Sequence, residues 1–363
     1  MRRRVTRPTS QIAVRHPPPA THRDRLLHVH YTVFGAGAIG GTVGAYMVRG
    51  GESVLFVDRD LEHVRAMQTR GLTLRGFASE SFSVPVEATT PEALPNRLET
   101  VLLATKAPAT EAAVRSFADR LDPDGCVVSL QNGLNELVIA RLVGEQRTLG
   151  GFVNFSADYL EPGVIHFAGR GAFYIGELDG SITPRLQEVR RALAHWGDVQ
   201  VTDNIWGFLW GKQAYGAMLF ATALTNDSMA EAIDEHREVV VELAREVLRV
   251  AAALGIRPLG FDGFEPEAIG SSDWPAVNAS LDRLITVRRG DEKTHSGVWR
   301  DMAVRRRRTE VDAHFGPIIE HARRLGLEVR LLERMVQMIH DIEEGRRSFN
   351  RANLDELAAA SVG

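Results

Sequence analysis

The fold is decided by the stretch YTVFGAGAIGG at residues 31–41, where a short apolar strand runs directly into a Gly-x-Gly-x-x-Gly turn that opens a helix. Gly35 is expected to make the tight turn, Gly37 to let the backbone approach a pyrophosphate, and Gly40 to let the helix pack closely on the strand. The helix N-terminus faces the same turn, and its free N–H groups stabilise an anion there. The stretch therefore predicts a dinucleotide-binding fold.

The residues after the turn strengthen this prediction. Ala38 and Ile39 open the helix and complete the expected cofactor-binding loop. A second apolar strand at residues 53–57 ends at Asp58, about 20 residues downstream, where an acid that binds the ribose is expected. A glycine-rich turn that binds nothing is the alternative, and an acid at this distance argues against it.

Composition and charge exclude several classes of protein. The chain has 363 residues, enough for about two domains that each bury a core. Its formal net charge of -4 gives no general attraction to nucleic acid or to an anionic membrane. No apolar run reaches the ~18 residues of a transmembrane helix, and the histidines lack metal-ligand spacing. Cys126 is the only cysteine, so no intramolecular disulfide can form, and we expect a cytoplasmic protein without a metal site.

The chain divides into three segments. Residues 1–28 are rich in Arg and Pro, which predicts a disordered extension. An inert extension or a start codon placed too early is favoured over an arm that binds nucleic acid or membrane. Residues 29–203 alternate strands with helices, whereas residues 204–363 are helical. The sequence thus predicts an α/β protein with an N-terminal Rossmann-type dinucleotide-binding domain, a C-terminal all-helical substrate domain, and a substrate cleft between them.

Individual elements follow from apolar periodicity and turn residues. The predicted strands are 31–34, 53–57, 100–105, 126–130, 148–152 and 199–201. Segments 163–167 and 172–177 are predicted to form a hairpin across Gly-Arg-Gly at 169–171 that extends the sheet with antiparallel edge strands. The predicted helices of the second domain are 205–225, 239–254, 281–287, 298–319 and 331–342.

Several short motifs in a fixed order resemble a known family, the ketopantoate reductases (2-dehydropantoate 2-reductases). The resemblance covers nearly everything from residue 29 to residue 342. The motifs are GAGAIG at 35–40, LLATK at 102–106, LQNG at 130–133, WGK at 210–212 and RTEVD at 308–312. Each motif is weakly diagnostic alone, but their order and spacing together are fairly specific.

The resemblance implies reduction of a 2-oxo acid to a 2-hydroxy acid with NAD(P)H, as in the conversion of ketopantoate to pantoate in pantothenate biosynthesis. Lys212 would be the general acid that protonates the developing alkoxide. Glu310 would bind the substrate hydroxyl, and Asn132 would lie near the nicotinamide ribose and the substrate. Lys106 would contact the cofactor or the substrate carboxylate.

Each of these residues also has a structural alternative. Lys212 could extend from an apolar helix to solvent, although its aromatic neighbours make a wet surface improbable. Glu310 could be a salt-bridged residue on a charged helix, because four arginines precede it at 305–308. Asn132 could serve only the Asn-Gly turn.

The chain departs from the family at the expected substrate contacts. Gly216 stands one helical turn after Lys212, where the family usually has a substrate-binding Asn, so a hydrogen bond to substrate is missing. Ser296 is the candidate for the family's substrate-binding Ser. These differences leave the reaction type standing and make a different 2-oxo acid a serious alternative to ketopantoate.

The choice of cofactor is divided between two neighbouring residues. Asp58 is placed to accept from the ribose 2′-hydroxyl and to repel a 2′-phosphate, which favours NADH. Arg59 matches the basic residue with which this largely NADPH-dependent family binds that phosphate. The weight of the family tips the prediction slightly to NADPH.

Two other functions stay open from the sequence. One is a two-domain dehydrogenase of opine or 3-hydroxyacid type, and the other is a dinucleotide sensor without catalysis. In each case we expect a small molecule as the partner rather than nucleic acid or membrane, and a homodimer formed through the helical domain is plausible.

Overall fold

The computed structural model describes residues 30–76, 81–290 and 294–360, so the predicted extension at 1–28 lies outside the described residues. The strands are β1 Tyr31–Phe34, β2 Val54–Val57, β3 Leu72–Gly76, β4 Phe82–Val84, β5 Glu87–Thr89, β6 Leu98–Leu103, β7 Leu121–Ser129, β8 Thr148–Val153, β9 Ser156–Glu161, β10 Val164–Gly169, β11 Phe173–Glu177 and β12 Gln200–Val201. The helices of the first half are α1 Ala38–Arg49, α2 Leu61–Arg70, α3 Thr110–Phe117, α4 Glu136–Val143 and α5 Pro184–Leu193. Those of the second half are α6 Ile205–Thr222, α7 Met229–Glu235, α8 Arg237–Ala253, α9 Pro266–Gly270, α10 Trp274–Arg289, α11 Gly297–Trp299, α12 Val311–Leu325, α13 Arg330–Glu343 and α14 Ala352–Ala359.

A sheet of eight strands forms the core of the first half, in the order β12-β11-β8-β7-β6-β1-β2-β5. The six neighbouring strands β8-β7-β6-β1-β2-β5 of this sheet pair in parallel, which confirms the predicted Rossmann-type sheet. Apolar side chains on both faces of β1 and β2 are buried, as expected of strands covered by helices on both sides. β11 runs antiparallel to β8, so the predicted antiparallel extension of the sheet is confirmed for residues 172–177, although β12 lies outside β11 as the edge strand.

The predicted hairpin between 163–167 and 172–177 is wrong. β10 pairs with β3 and β9 in a second sheet, ordered β4-β3-β10-β9, while β11 pairs with β8 and β12 in the main sheet. The Gly-Arg-Gly segment therefore carries the chain from one sheet to the other instead of turning it back. A short loop between two apolar strands favours a hairpin locally, but here β10 pairs with β3 and β11 pairs with β8 instead of with each other.

The second half consists of helices around one apolar core. α6 is the most buried of them and packs mainly against α8. The predicted helix at 298–319 is wrong as a single element, because α11 passes into a π-helical turn at Arg300–Val304 and α12 begins only at Val311. Within the described residues, no helix is both long and apolar enough to span a bilayer.

A buried carboxylate on α8 fixes the start of α13. Glu246 is 5% exposed and accepts hydrogen bonds from the backbone N–H groups of Leu331 and Leu332, at 3.1 and 2.8 Å. The first N–H groups of a helix have no partner within the helix, so this side chain from another helix satisfies them. The negative charge also lies at the positive end of the α13 dipole.

Replacing Glu246 should therefore destabilise the helical half. We expect Glu246→Ala to lower the free energy of unfolding by about 2–4 kcal/mol, because two buried N–H groups lose their acceptors. Glu242→Ala, which removes partly exposed ion pairs with Arg249 and Arg245, should cost less than about 1 kcal/mol. Urea denaturation followed by circular dichroism measures both values, and equal losses in the two variants would contradict this account.

Candidate active site

The glycine-rich turn has the geometry of a pyrophosphate cradle. Gly35 has a φ of +101°, and a Cβ atom there would lie 2.7 Å from the backbone of Ala104. A Cβ at Gly40 would lie 2.2 Å from the carbonyl oxygen of Gly35, so α1 packs directly on the turn. A Cβ at Gly37 would meet no atom within 4 Å. The space next to Gly37 and the N-terminus of α1, which begins at Ala38 and Ile39, therefore suits an anionic ligand.

Two side chains hold this turn in place. Asp58 accepts from the backbone N–H of Ala36 through Oδ2, at 2.9 Å, and from that of Asp60 through Oδ1, at 3.0 Å. His63 is buried, accepts from the N–H of Gly163 at Nδ1, and is 2.8 Å from the carbonyl oxygen of Ala36 at Nε2. Because Nδ1 accepts, Nε2 carries the proton and donates it to Ala36.

These contacts give Asp58, the acid predicted to bind the ribose, a structural role in the turn. Asp58 spends both oxygens on the backbone, and Arg59 beside it is exposed. Sequence reasoning missed His63, because its two partners are 27 and 100 residues away along the chain. A helical histidine gives no local signal for such contacts.

Lys212 lies where the helical half meets the ends of β7 and β8. Its ammonium donates to Asn132 Oδ1 at 2.8 Å and to the carbonyl oxygen of Val153, and it is 5.2 Å from the centroid of the Phe152 ring. Burial lowers the pKa of Lys212 to about 8, against the opposing charges of Asp262 and Glu136. The structure thus brings two of the predicted site residues, Lys212 and Asn132, into direct contact.

Glu310 forms a second link across the same boundary. It lies just before α12, and its carboxylate accepts from Lys106 Nζ at 2.6 Å and from the backbone N–H of Ala107 at 2.8 Å. The carboxylate of Glu310 is 15% exposed, whereas Lys106 is 62% exposed. Two more of the predicted site residues, Lys106 and Glu310, are therefore in contact, one from each half of the chain.

The remaining predicted residues differ in their involvement. Gly216 lies on α6 one turn after Lys212, as the sequence implies. Ser296 is buried and caps α11, since its hydroxyl accepts from the N–H of Trp299 at 3.2 Å. No hydrogen bond in the described part of the chain joins Ser296 to Lys212 or Glu310.

Two acids near Lys212 were not found from the sequence. Asp262 has a φ of +42° and accepts a hydrogen bond from Asn154 Nδ2 at 2.5 Å. Asn154 directly follows β8, whose last residue, Val153, accepts from Lys212. Glu136 is fully buried at the start of α4, and burial raises its pKa to about 7. An acid in an unassigned loop and an acid in the first turn of a helix are both ordinary features of a sequence, so neither attracted notice.

The parts combine into a single arrangement. A dinucleotide cradle lies at the carboxyl ends of parallel strands, and the partly buried ammonium of Lys212 from the helical half reaches the same ends through Asn132 and Val153. A proton donor beside a dinucleotide site is typical of an oxidoreductase that reduces a carbonyl group. The fold and the site therefore define a dinucleotide-dependent oxidoreductase.

Comparison with known proteins identifies the family. Residues 31–180 match the family model "Ketopantoate reductase PanE/ApbA", and residues 204–343 match its C-terminal counterpart. The 2-dehydropantoate 2-reductase of Pyrococcus horikoshii is 30% identical over 304 residues, which cover 82% of this chain and 92% of the relative. The enzyme of the same name from Archaeoglobus fulgidus is 26% identical over 316 residues, 86% of this chain and 97% of the relative. The chain belongs to the ketopantoate reductase family.

Solved structures share the whole fold. A PanE/ApbA family ketopantoate reductase from Ralstonia eutropha JMP134 superposes with a TM-score of 0.73 at 24% identity, over 87% of this chain and 99% of that one. A D-mandelate dehydrogenase bound to NADH and anilino(oxo)acetate superposes with a TM-score of 0.72 at 21% identity, with the same coverage of both chains. At these identities the likeness shows the fold, with its Rossmann-type first domain and helical second domain.

Two glycines of the cradle should respond differently to one added methyl group. Gly40→Ala forces a Cβ against the Gly35 carbonyl, so we expect a loss of about 1–3 kcal/mol in the free energy of unfolding. Gly37→Ala places its Cβ in open space at a φ of −68°, so stability should stay within about 0.5 kcal/mol while the Kd for the dinucleotide rises about tenfold or more. Thermal unfolding and NADPH and NADH fluorescence titrations separate the two effects, and unchanged affinity in Gly37→Ala would place the pyrophosphate elsewhere.

Proposed function

We propose that this protein reduces the carbonyl group of a 2-oxo acid to a hydroxyl group, using NADPH or NADH. Its relatives carry the name 2-dehydropantoate 2-reductase, and they match both halves of the chain. The observation that carries the proposal is the Lys212 ammonium, which the helical half presents to Asn132 at the edge of the dinucleotide cradle.

The nicotinamide dinucleotide fits the cradle around Gly37 and, when bound, supplies the hydride. Lys212 binds the carbonyl oxygen of the substrate and donates a proton to it as negative charge develops. The contacts with Asn132 and Val153 orient the ammonium, and its lowered pKa of about 8 makes it a better acid near neutral pH than an exposed lysine.

Glu310 and Lys106 complete the site in this proposal. In the structure their ion pair joins the two halves of the chain. Glu310 would bind the hydroxyl of a substrate that carries one, as ketopantoate does, while Lys106 would neutralise the substrate carboxylate or a cofactor phosphate. Glu136 and Asp262 act indirectly, because their charges favour the protonated form of Lys212.

NADPH is the proposed preference, by a small margin. Asp58 is occupied with the backbone of the cradle, which gives it a structural reason to be present in addition to any contact with ribose. Arg59 is exposed beside it and is free to bind a 2′-phosphate.

Assembly, location and boundaries complete the proposal. We place the domain boundary between residues 203 and 204, at the start of α6, and treat residues 1–28 as an extension. A homodimer is proposed, since a related ketopantoate reductase from Staphylococcus aureus is described as dimeric. The cytoplasm is the proposed location, on the ground that the one cysteine is buried and free.

The central test is Lys212→Ala, assayed with NADPH and NADH against ketopantoate and a panel of 2-oxo acids. We expect kcat to fall about 10²–10⁴-fold, because the proton donor is lost. In the unmodified protein the rate of reduction should fall as the pH rises through about 8, since deprotonated Lys212 has no proton to give. The variant should lack this limb of the pH profile and keep its affinity for the dinucleotide.

Other results would point to other functions. Dinucleotide binding without turnover on any carbonyl compound would favour a sensor. Turnover confined to the reduction of imines formed from a 2-oxo acid and an amine, or to the oxidation of 3-hydroxy acids, would favour the opine or 3-hydroxyacid type of dehydrogenase. Full activity in Lys212→Ala would remove this residue from the mechanism.

A second test concerns the cofactor. Asp58→Asn removes the charge but keeps an acceptor for the backbone of the cradle, so the ratio of kcat/KM for NADPH to that for NADH should rise about three- to tenfold. Arg59→Ala should move the same ratio in the opposite direction. A ratio that neither variant changes would place the 2′ position of the ribose away from both residues.

A further inference from the structure

Gly216 leaves open space on α6 that the packing of the protein does not explain. A Cβ at Gly216 would meet nothing within 4 Å. Two other glycines of α6 are required by close contacts. A Cβ at Gly207 would lie 2.5 Å from the carbonyl oxygen of Arg257, and a Cβ at Gly211 would lie 2.3 Å from that of Leu259. Glycine inside a helix costs about 1 kcal/mol relative to alanine. The protein bears this cost at Gly216 without a steric reason within the fold.

The open space adjoins the proposed proton donor. Successive residues of a helix are about 100° apart, so Gly216 points between Lys212, one turn before it, and Phe220, one turn after it. The rise of about 1.5 Å per residue places it some 6 Å along the helix from Lys212. A substrate whose carbonyl oxygen reaches the ammonium therefore extends one of its groups past Gly216.

Beyond Lys212, the side chains on the following turn of α6 and opposite it on α12 are apolar or neutral. Phe220 and the partly buried Leu219 stand on the following turn of α6. His314 lies opposite, with Nδ1 3.0 Å from Gln213 Oε1 and its ring 5.0 Å from the Phe220 ring. Burial lowers the pKa of His314 to about 4, so this ring is uncharged at neutral pH.

A 2-oxo acid has two groups on its carbonyl carbon, and only one of them suits this space. The carboxylate needs cationic or N–H partners, and α6 offers no charged side chain other than Lys212. The other substituent can be apolar, and an aromatic ring finds ring faces and edges at Phe220 and His314.

We propose that Gly216 opens a specificity pocket for the side chain of the substrate, and that the preferred 2-oxo acids carry a bulky apolar group, best an aromatic ring, on the carbonyl carbon. This inference rests on the proposed function and names its substrate class. Gly216 acts by leaving room, with Phe220 and His314 as the walls.

The experiment compares phenylglyoxylate, ketopantoate and pyruvate as substrates of the full chain with the better dinucleotide. Burying a ring stabilises binding, so kcat/KM for phenylglyoxylate should exceed that for the other two at least about tenfold. Gly216→Leu fills the space and should lower the ratio of kcat/KM for phenylglyoxylate to that for pyruvate at least tenfold, with Gly216→Ala intermediate. Ala253→Leu, which adds the same side chain at an exposed position at the end of α8, should leave the ratio unchanged.

The possible outcomes distinguish failure of the proposed pocket from failure of the proposed function. Preference for ketopantoate in the unmodified protein, or an equal loss on every substrate in both Gly216 variants, would overturn the pocket and leave the reductase standing. Failure of the unmodified protein to reduce any 2-oxo acid would overturn the proposed function itself. Thermal unfolding of each variant checks the fold, and both Gly216 variants should melt no lower than the unmodified protein, because leucine and alanine favour helix over glycine.

Discussion

The site depends on one partly buried ammonium, that of Lys212, held between the two halves of the chain. Burying a charge is expensive unless polar partners surround it, and Lys212 meets that cost with Asn132 Oδ1 and the carbonyl oxygen of Val153. Asn132 follows β7, and Val153 is the last residue of β8 in the same sheet. The position of α6 relative to the sheet, and with it the width of the cleft, is therefore fixed by contacts at the same point where the proposed chemistry takes place.

The Glu310–Lys106 pair adds a second connection of a different kind. Lys106 is largely exposed, so this ion pair is worth little as a source of stability. The hydrogen bond that the Glu310 carboxylate accepts from the backbone N–H of Ala107 nevertheless gives this carboxylate a fixed direction. Lys212 thus provides a rigid connection between the halves, whereas the Glu310–Lys106 pair can exchange its partner for a substrate at small cost.

Sequence reasoning predicted what local pattern and turn chemistry determine. The parallel order of β1, β2, β6 and β7 and the helical second half followed from apolar runs and from the glycine-rich turn. The second sheet did not follow, because β3 and β10 pair across about ninety residues and neither strand announces its partner. The break between α11 and α12 was missed for a different, local reason, since apolar residues keep helical spacing through Arg300–Val304.

The site shows the same division between local and distant information. Family motifs brought Lys212, Asn132, Lys106 and Glu310 to attention, and the structure puts them in two contacting pairs. His63, Asp262 and Glu136 act through partners far along the chain, which only folded coordinates reveal. Their roles are electrostatic or supportive, and no short motif encodes such a role.

The His63 bridge ties the second sheet to the cradle. One ring nitrogen holds the turn before β10 at Gly163, and the other holds Ala36 between the first two glycines of the fingerprint. Any ligand that tightens the glycine turn should then also restrain the small sheet, whose Ile165 packs beside Gly41 on α1. Amide exchange at Gly163 is accordingly a remote reporter of nucleotide occupancy, readable without any catalytic turnover.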